Sequence, residues 1–206
     1  MNSIQSSLKL PCDAEIKNRI GKSAMTERIA DSNNFVNQKH LNLYQRWSEG
    51  ECGLLISGNV MVDRFNLEGA GNIILNQRNY KDQLETLKKW TEIGTRNQSH
   101  FWIQLSHAGR QTPMEINKTP MAPSSVQLKI PGRRYGVPIE MNNQDIINTI
   151  DQFVFAAKIA QEVGFTGVQL HSAHGYLLSQ FLSPNINLRN DEWGGSIENR
   201  SRLLIE

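Results

Sequence analysis

The feature that most narrows the fold is a helix-to-strand succession late in the chain. Ile146, Ile150, Val154, Ala157 and Ala160 recur at spacings of three and four, the period of a helix with one buried face. The pattern predicts a helix over about Asn143–Val163, with Asn142 or Asn143 as its N-cap and Gly164 as its stop. The apolar run Gly167-Val168-Gln169-Leu170 follows at once. It has the length of a strand rather than a helix. It then breaks into polar residues, His171-Ser172-Ala173-His174-Gly175-Tyr176.

The same succession occurs twice more. A helix-like stretch from Gln38 to Glu49 leads to Gly53-Leu54-Leu55-Ile56-Ser57. Another from Tyr80 to Arg96, with Leu84, Leu87 and Ile93 on one face, leads to His100-Phe101-Trp102-Ile103-Gln104-Leu105. A weaker strand is predicted at Arg19–Ala24. Before it, Leu8-Lys9-Leu10 and Glu15-Ile16-Lys17 flank a turn at Pro11 and Asp13, the pattern of a small hairpin. The connection from Gly109 to Asn142 is long and rich in Pro and Gly, as functional or disordered loops are. Ser196 caps a last helix through Asn199, Leu203 and Leu204.

Strands that alternate with helices imply βαβ units and a parallel sheet. Two α/β architectures fit: an open doubly wound sheet, or part of a TIM (β/α)8 barrel. No Gly-rich phosphate turn follows any strand, which argues against the first. Polar residues sit at successive strand ends: Thr26, Asn59, Gln104, His107, His171 and His174. Barrels carry their chemistry at that end, so the barrel is favoured.

The 206 residues suit one domain, and the net charge is only +2. No basic block suggests nucleic acid or a membrane surface; Arg133-Arg134 reads as a pair on a solvated loop. Cys12 and Cys52 form no metal or redox motif and read as reduced thiols. There is no signal-peptide pattern and no membrane-length apolar run. The expectation is a soluble cytoplasmic protein with a small-molecule substrate, no nucleic acid, no membrane and no metal.

Within His171–Tyr176, two imidazoles can hold a substrate oxygen by hydrogen bonds, and a phenol can supply a proton. Each residue taken alone also has a bland reading, as a satisfied polar group or a packing ring.

The wider context resembles a known family. His171-Ser-Ala-His-Gly-Tyr-Leu-Leu-Ser-Gln-Phe-Leu-Ser-Pro184 and Asn187-Leu-Arg-Asn-Asp-Glu-Trp-Gly-Gly-Ser-Ile-Glu-Asn-Arg200 closely resemble the Old Yellow Enzyme family. These are FMN-dependent NAD(P)H:flavin oxidoreductases and ene-reductases built on a TIM barrel. The likeness extends to Leu8-Lys-Leu-Pro-Cys-Asp, Asn18-Arg-Ile, Gly53-Leu-Leu-Ile, Gln104-Leu-Ser-His-Ala-Gly-Arg110 and Ala122-Pro-Ser124.

The resemblance implies FMN as cofactor and NADH or NADPH as reductant. It implies that Ser23, Ala24, Met25 and Thr26 lie against the flavin ring, with Thr26 near its O4/N5 edge. Asn59 would contact the flavin through its backbone, and Gln104 would bond the pyrimidine side. His171 and His174 would grip the substrate oxygen, and Tyr176 would protonate the carbon after hydride transfer from flavin N5 to an activated alkene. Some relatives carry cysteine in place of Thr26. Gly58 stands where a glutamate is common. Arg28 stands where many bacterial relatives place a tyrosine that contacts substrate, so Arg28 is a substrate-binding candidate suited to an acidic group. His107 and Arg110 read as loop structure, and Arg189, Asp191, Asn199 and Trp193 as a lock on the loop before the last helix.

A TIM barrel takes about 250 residues and eight strands. The sequence predicts about four, preceded by the hairpin. The expectation is therefore the N-terminal part of a single FMN-binding barrel domain, apparently truncated, whose full-length form admits a homo-oligomer. The family's phosphate-binding loops would lie further on. Two alternatives follow. One is a non-catalytic fragment or pseudoenzyme that cannot hold FMN alone. The other is the N-terminal part of a dienoyl-CoA reductase-like or amine dehydrogenase-like relative, whose iron–sulfur cysteines would lie downstream.

Overall fold

The computed structural model describes residues 3–206. A two-residue hairpin, β1 (Leu8–Lys9) and β2 (Glu15–Ile16), pairs antiparallel around Asp13, whose φ is 64°. Next come β3 (Gly21–Lys22), α1 (Gln38–Glu49), β4 (Leu54–Met61), β5 (Ile73–Ile74) and α2 (Tyr80–Gly94). They are followed by β6 (His100–Ser106), β7 (Met121–Ala122), β8 (Ile139–Glu140) and α3 (Asn143–Val163). The chain continues with β9 (Gly167–Leu170), α4 (Leu177–Leu182) and α5 (Ile197–Ile205).

The main sheet is parallel in the order β3-β4-β6-β9, with β5 alongside the end of β4. Each step from one of these four strands to the next passes through a helix: α1, α2, then α3. This is the expected βαβ succession, and its four strands are those read from the sequence. The hairpin sits at the strand beginnings. The His100 ring meets Glu15 O at 3.1 Å, and Ile16 is buried against Gly53. The opposite end is left to the loops.

Local signals account for much of this. Asn142 caps α3 with a reciprocal bond to Asp145, and Gly164 ends it at φ 102°. Asn37 caps α1, with His40 Nδ1 accepting from its backbone N–H at 3.2 Å. The layer between sheet and helices is aromatic. Tyr44, Trp90, Phe101 and Phe165 are buried edge to face or tilted, with centroids 4.8–5.5 Å apart. α2 ends at Gly94, two residues before the expected Arg96, and any Cβ on Gly94 would lie 2.2 Å from the Phe101 ring.

Several expectations need correction. The buried face of α3 is Ile146, Thr149, Phe153, Ala156, Ile159, Ala160 and Val163, whereas Val154 is exposed. Val154 follows Phe153 by about 100° around the helix, and the larger ring takes the core. Of the α2 trio, only Leu87 is fully buried, with Trp90 beside it. The strand predicted at Arg19–Ala24 pairs only over Gly21–Lys22. β4 runs on to Met61 instead of stopping at Ser57. β5 and α4 had no clear sequence signal. The Gly109–Asn142 connection is ordered, with β7 paired parallel to β8 and bridges at Pro113–Tyr135 and Ile130–Arg133.

Cys12 is exposed and Cys52 buried, and they are not bridged. No helix among the described residues is long and apolar enough to cross a membrane.

Candidate active site

The β4–β6 register shifts between Ile56 and Asn59. Ile56 pairs with Trp102 and Asn59 with Gln104, so β4 spends one extra residue there. This bulge re-aims the strand end. Gly58 sits in it, where a Cβ would fall 2.3 Å from the Glu27 carboxylate and 2.5 Å from Met25 O. Tyr44 Oη donates to Glu27 Oε1 at 2.7 Å and accepts from Gly58 N at 3.0 Å. Burial raises the Glu27 carboxyl, with the Tyr44 bond opposing. A buried phenol thus ties the end of β3 to the bulge.

Residues expected to meet a flavin lie beside that tie. Thr26 Oγ1 donates to Asn59 Oδ1 at 2.9 Å, while Asn59 Nδ2 is buried with no partner. Gln104 N donates to Ser57 Oγ at 2.9 Å, and its side chain donates to Gln169 Oε1 at 2.7 Å. Ser23, Met25 and Thr26 are exposed and Ala24 is half-buried.

The turn after β9 carries His171, His174 and Tyr176. His171 is buried. Its Nε2 lies 2.9 Å from His174 Nδ1, and its Nδ1 lies 3.2 Å from Ser106 Oγ. The two imidazoles therefore bond each other, rather than standing as two free donors. Burial, then the neighbouring His174, lowers the His171 pKa to about 4, so the ring is neutral near pH 7. The Tyr176 ring lies tilted at 60° to His171, with centroids 4.7 Å apart, and rests on an apolar patch of Met61, Leu67, Ile74 and Ala108. Burial, then the Glu68 carboxylate, raises the phenol to about 12. It is a protonated group at neutral pH.

The turn is held from outside. His174 and Gly175 have φ of 57° and 74°, a left-handed pair unusual for the histidine. Gln111 Nε2 donates to His174 O at 2.5 Å. Fully buried Gln180 donates to Gly175 O at 2.7 Å and Ala108 O at 3.1 Å, and accepts from Arg110 N at 3.2 Å. Ser106, Gln111 and Gln180 were not singled out from sequence, since a polar residue in a helix or strand gives no sign of a distant partner.

Arg28, at φ 51°, pairs through both Nε and Nη2 with Glu68, 40 residues away. His107 is buried, with Nδ1 accepting from Gly109 N at 3.1 Å and Nε2 3.5 Å from Asp63. Burial alone would raise the Asp63 carboxyl, but His107 and the Phe65 and Asn66 donors hold it at about 2. Arg110 Nη1 donates to Val126 O at 3.1 Å. Arg189 binds Asp191 and the carbonyls of Pro123 and Met141, Trp193 Nε1 donates to Asn143, and Asn199 reaches Asp191 O. His107, Arg110, Arg189, Asp191, Asn199 and Trp193 thus hold loops, as read from sequence, whereas Arg28, read as a substrate contact, is engaged by Glu68.

A cleft of about 440 Å³ opens beside Tyr176, lined by Arg28, Glu68, Gln111, Arg133, Arg134 and Tyr135 among others. A separate cleft of about 430 Å³ between Arg64, Asn76 and Asp145 shares none of its lining. No cluster of three metal-ligating side chains occurs among the described residues.

Comparison with known proteins adds to this geometry. Residues 9–206 match the model of the NADH:flavin oxidoreductase / NADH oxidase family. The NADH-dependent flavin oxidoreductase iliE of Hypocrea jecorina (strain QM6a) is 33% identical over 97% of this chain and 53% of its own. The Old Yellow Enzyme homologue of Zymomonas mobilis superposes with a TM-score of 0.87 at 27% identity, over 98% of this chain and 57% of that one. A 2-naphthoyl-CoA reductase superposes at 0.90 and 25% identity, over 98% and 32%. The chain spans about half or less of the length of the curated relatives it matches.

Proposed function

The chain belongs to the NADH:flavin oxidoreductase / NADH oxidase family, and from that premise we propose that it carries the substrate-gripping and proton-delivering part of an FMN-dependent NAD(P)H oxidoreductase acting on activated alkenes. Its parallel sheet is then the N-terminal part of one FMN-binding barrel domain. The observation that carries the reading is the His171–His174–Tyr176 cluster: two hydrogen-bonded imidazoles beneath a phenol that keeps its proton.

FMN, when bound, supplies the hydride. The residues present suit its ring. Asn59 Nδ2 is a buried donor with no partner, and Gln104 offers an amide one strand away. Thr26 supplies a hydroxyl, and exposed Ser23 and Met25, with Ala24 between them, supply a surface for a flat heterocycle. His171 and His174 hold the carbonyl or nitro oxygen of the substrate. That oxygen gains negative charge as the alkene is reduced, and imidazole N–H donors stabilise it. Because the rings bond each other, the oxygen either inserts between them or takes the one N–H left outward, on His174. Tyr176 then donates its phenolic proton to carbon. The raised phenol pKa means that the proton is in place on Tyr176 at neutral pH.

A second reading, a CoA-thioester reductase, draws support from the 0.90 superposition on 2-naphthoyl-CoA reductase. One assay set addresses both. The chain is titrated with FMN, the flavin visible band is followed, and NADH consumption is measured with cyclohexenone and with an enoyl-CoA. A stoichiometric yellow complex that reduces cyclohexenone, and loses that activity in Tyr176→Phe, supports the first reading. Turnover of the thioester alone supports the second. A colourless protein with no turnover removes both for this chain.

A further inference from the structure

We propose that the cleft beside Tyr176 receives an anionic group, in the first instance a carboxylate on the molecule being reduced, and that Arg133 and Arg134 hold it rather than Arg28. The proposal rests on the oxidoreductase reading for the identity of the reacting molecule.

Arg28 is the cation that sequence alone favours for an acidic substrate. Its guanidinium is already matched by Glu68, through Nε at 3.1 Å and through Nη2. A two-point pair of this kind leaves little field for a further anion. Arg133 and Arg134 line the same cleft with no carboxylate within the 4.0 Å that defines an ion pair, among the described residues. Their nearest partners are neutral: the Tyr135 hydroxyl for Arg133 and the Met114 sulfur for Arg134, each at 3.5 Å.

The loop that carries them is built. Ile130-Pro131-Gly132-Arg133 is a tight turn closed by Arg133 N to Ile130 O at 3.1 Å, with Gly132 at φ 75°. Proline second and glycine third are what a type II turn requires. Beyond it, Met114 N donates to Arg134 O at 3.1 Å, Gln127 Nε2 donates to Tyr135 O at 3.1 Å, and the Tyr135 ring is buried. Arg133 and Arg134 thus line, from a pinned backbone, the cleft that Tyr176 also lines.

The charges agree. Arg28 and Glu68 cancel, leaving Arg133 and Arg134 against Glu115 in the lining. Glu68, Arg28 and Arg133 all act electrostatically on Tyr176. A planar carboxylate matches the guanidinium fork. Placed there, it would hold the rest of a small substrate against the proton donor. The diphosphate of the nicotinamide reductant offers the same chemistry, so the test separates the two sources.

The test is calorimetric binding to the full chain with FMN present, at low and at high salt. The probes are cyclohexenone, its ring carboxylate, and ADP-ribose as the anionic portion of the reductant. We expect the carboxylate to bind about tenfold tighter than the neutral enone at low salt, with the margin shrinking as salt screens it. The ratio should fall to near one in Arg133→Gln/Arg134→Gln and persist in Arg28→Gln. If the double variant instead weakens only ADP-ribose, the anion site stands and its ligand is the reductant. If no anionic probe is preferred, or if Arg28→Gln abolishes the preference, the proposal is overturned. A retained charge preference without Tyr176-dependent alkene reduction would sink the oxidoreductase reading alone.

Discussion

Ser106 Oγ and His171 Nδ1 lie 3.2 Å apart, both buried, on the side of the imidazole away from His174. A serine at the end of β6 thereby meets the His171 nitrogen that His174 leaves, and the direction of that bond is tied to the tautomer. When the hydroxyl donates, His171 Nε2–H donates to His174 Nδ1, and His174 Nε2–H is the donor left for substrate. Metal-binding histidines are oriented by the same device.

Ser106→Ala should release that choice. The His171 ring then samples both tautomers, visible in its imidazole nitrogen shifts. Affinity for an enone should drop by about fivefold to tenfold, the worth of one net hydrogen bond. Unchanged tautomer populations would show that His174 alone sets the ring.

Tyr176→Phe should lower alkene reduction by about a hundredfold or more, in the range for loss of a positioned proton donor. NADH consumption by the flavin, measured without alkene, should be unaffected. Alkene turnover within twofold of the parent would assign the proton to another group.

Gln180→Leu should cost about 2 kcal/mol or more, because the buried acceptors on Gly175 and Ala108 lose their partner. The denaturant midpoint reports the loss. Hydrogen exchange at Gly175 and Tyr176 should rise further than the global change accounts for, since Gln180 pins that turn directly.

Acidification should destabilise the fold between about pH 6.5 and 4. His40 and His171 are both held near 4 by burial. The unfolded chain therefore binds protons in that window that the native state refuses, and stability rises with pH across it. Glu27, raised by burial, acts in the opposite sense above its usual value. His40→Gln isolates the histidine contribution, keeping an acceptor for the Asn37 N–H while removing the titration. Its thermal midpoint should fall less between pH 7 and pH 5 than the parent's. A slope equal to the parent's would show that His40 is not a titrating group in this range.

Gly58→Ala should destabilise the fold and also disturb the proposed FMN contacts at Thr26 and Asn59. The added carbon meets the Glu27 carboxylate and Met25 O, so the Glu27–Tyr44 tie and the Thr26–Asn59 bond must shift together. Weaker FMN binding with a lowered denaturant midpoint is expected. An unaltered flavin spectrum and midpoint would show that the bulge adapts freely.

Local chemistry explains which parts of the fold were legible. The limits of α1 and α3 follow from Asn37, Asn142 and Gly164, residues whose side chains or φ act within a few positions. β9 and the hairpin are likewise short-range patterns. β5 was invisible because two residues carry no periodicity, and Ile74 is a strand residue only because β4 runs past Ser57 to meet it. Val154 was misplaced because a helical period defines a stripe, and the bulk of Phe153 then decides which edge of it faces inward.

The candidate site divides the same way. His171, His174 and Tyr176 occupy one turn, so their spacing alone brings three chemical groups together. The sequence by itself determined the alternation of strands and helices, the helix caps, the family and this motif, because each is encoded within a short span. Only the tertiary structure decided that Glu68 neutralises Arg28, that Ser106 meets His171, and that the solvated loop bearing exposed Arg133 and Arg134 lines the cleft beside Tyr176. Those are pairings across tens of residues. They depend on where a parallel sheet delivers its strand ends, which no local pattern specifies.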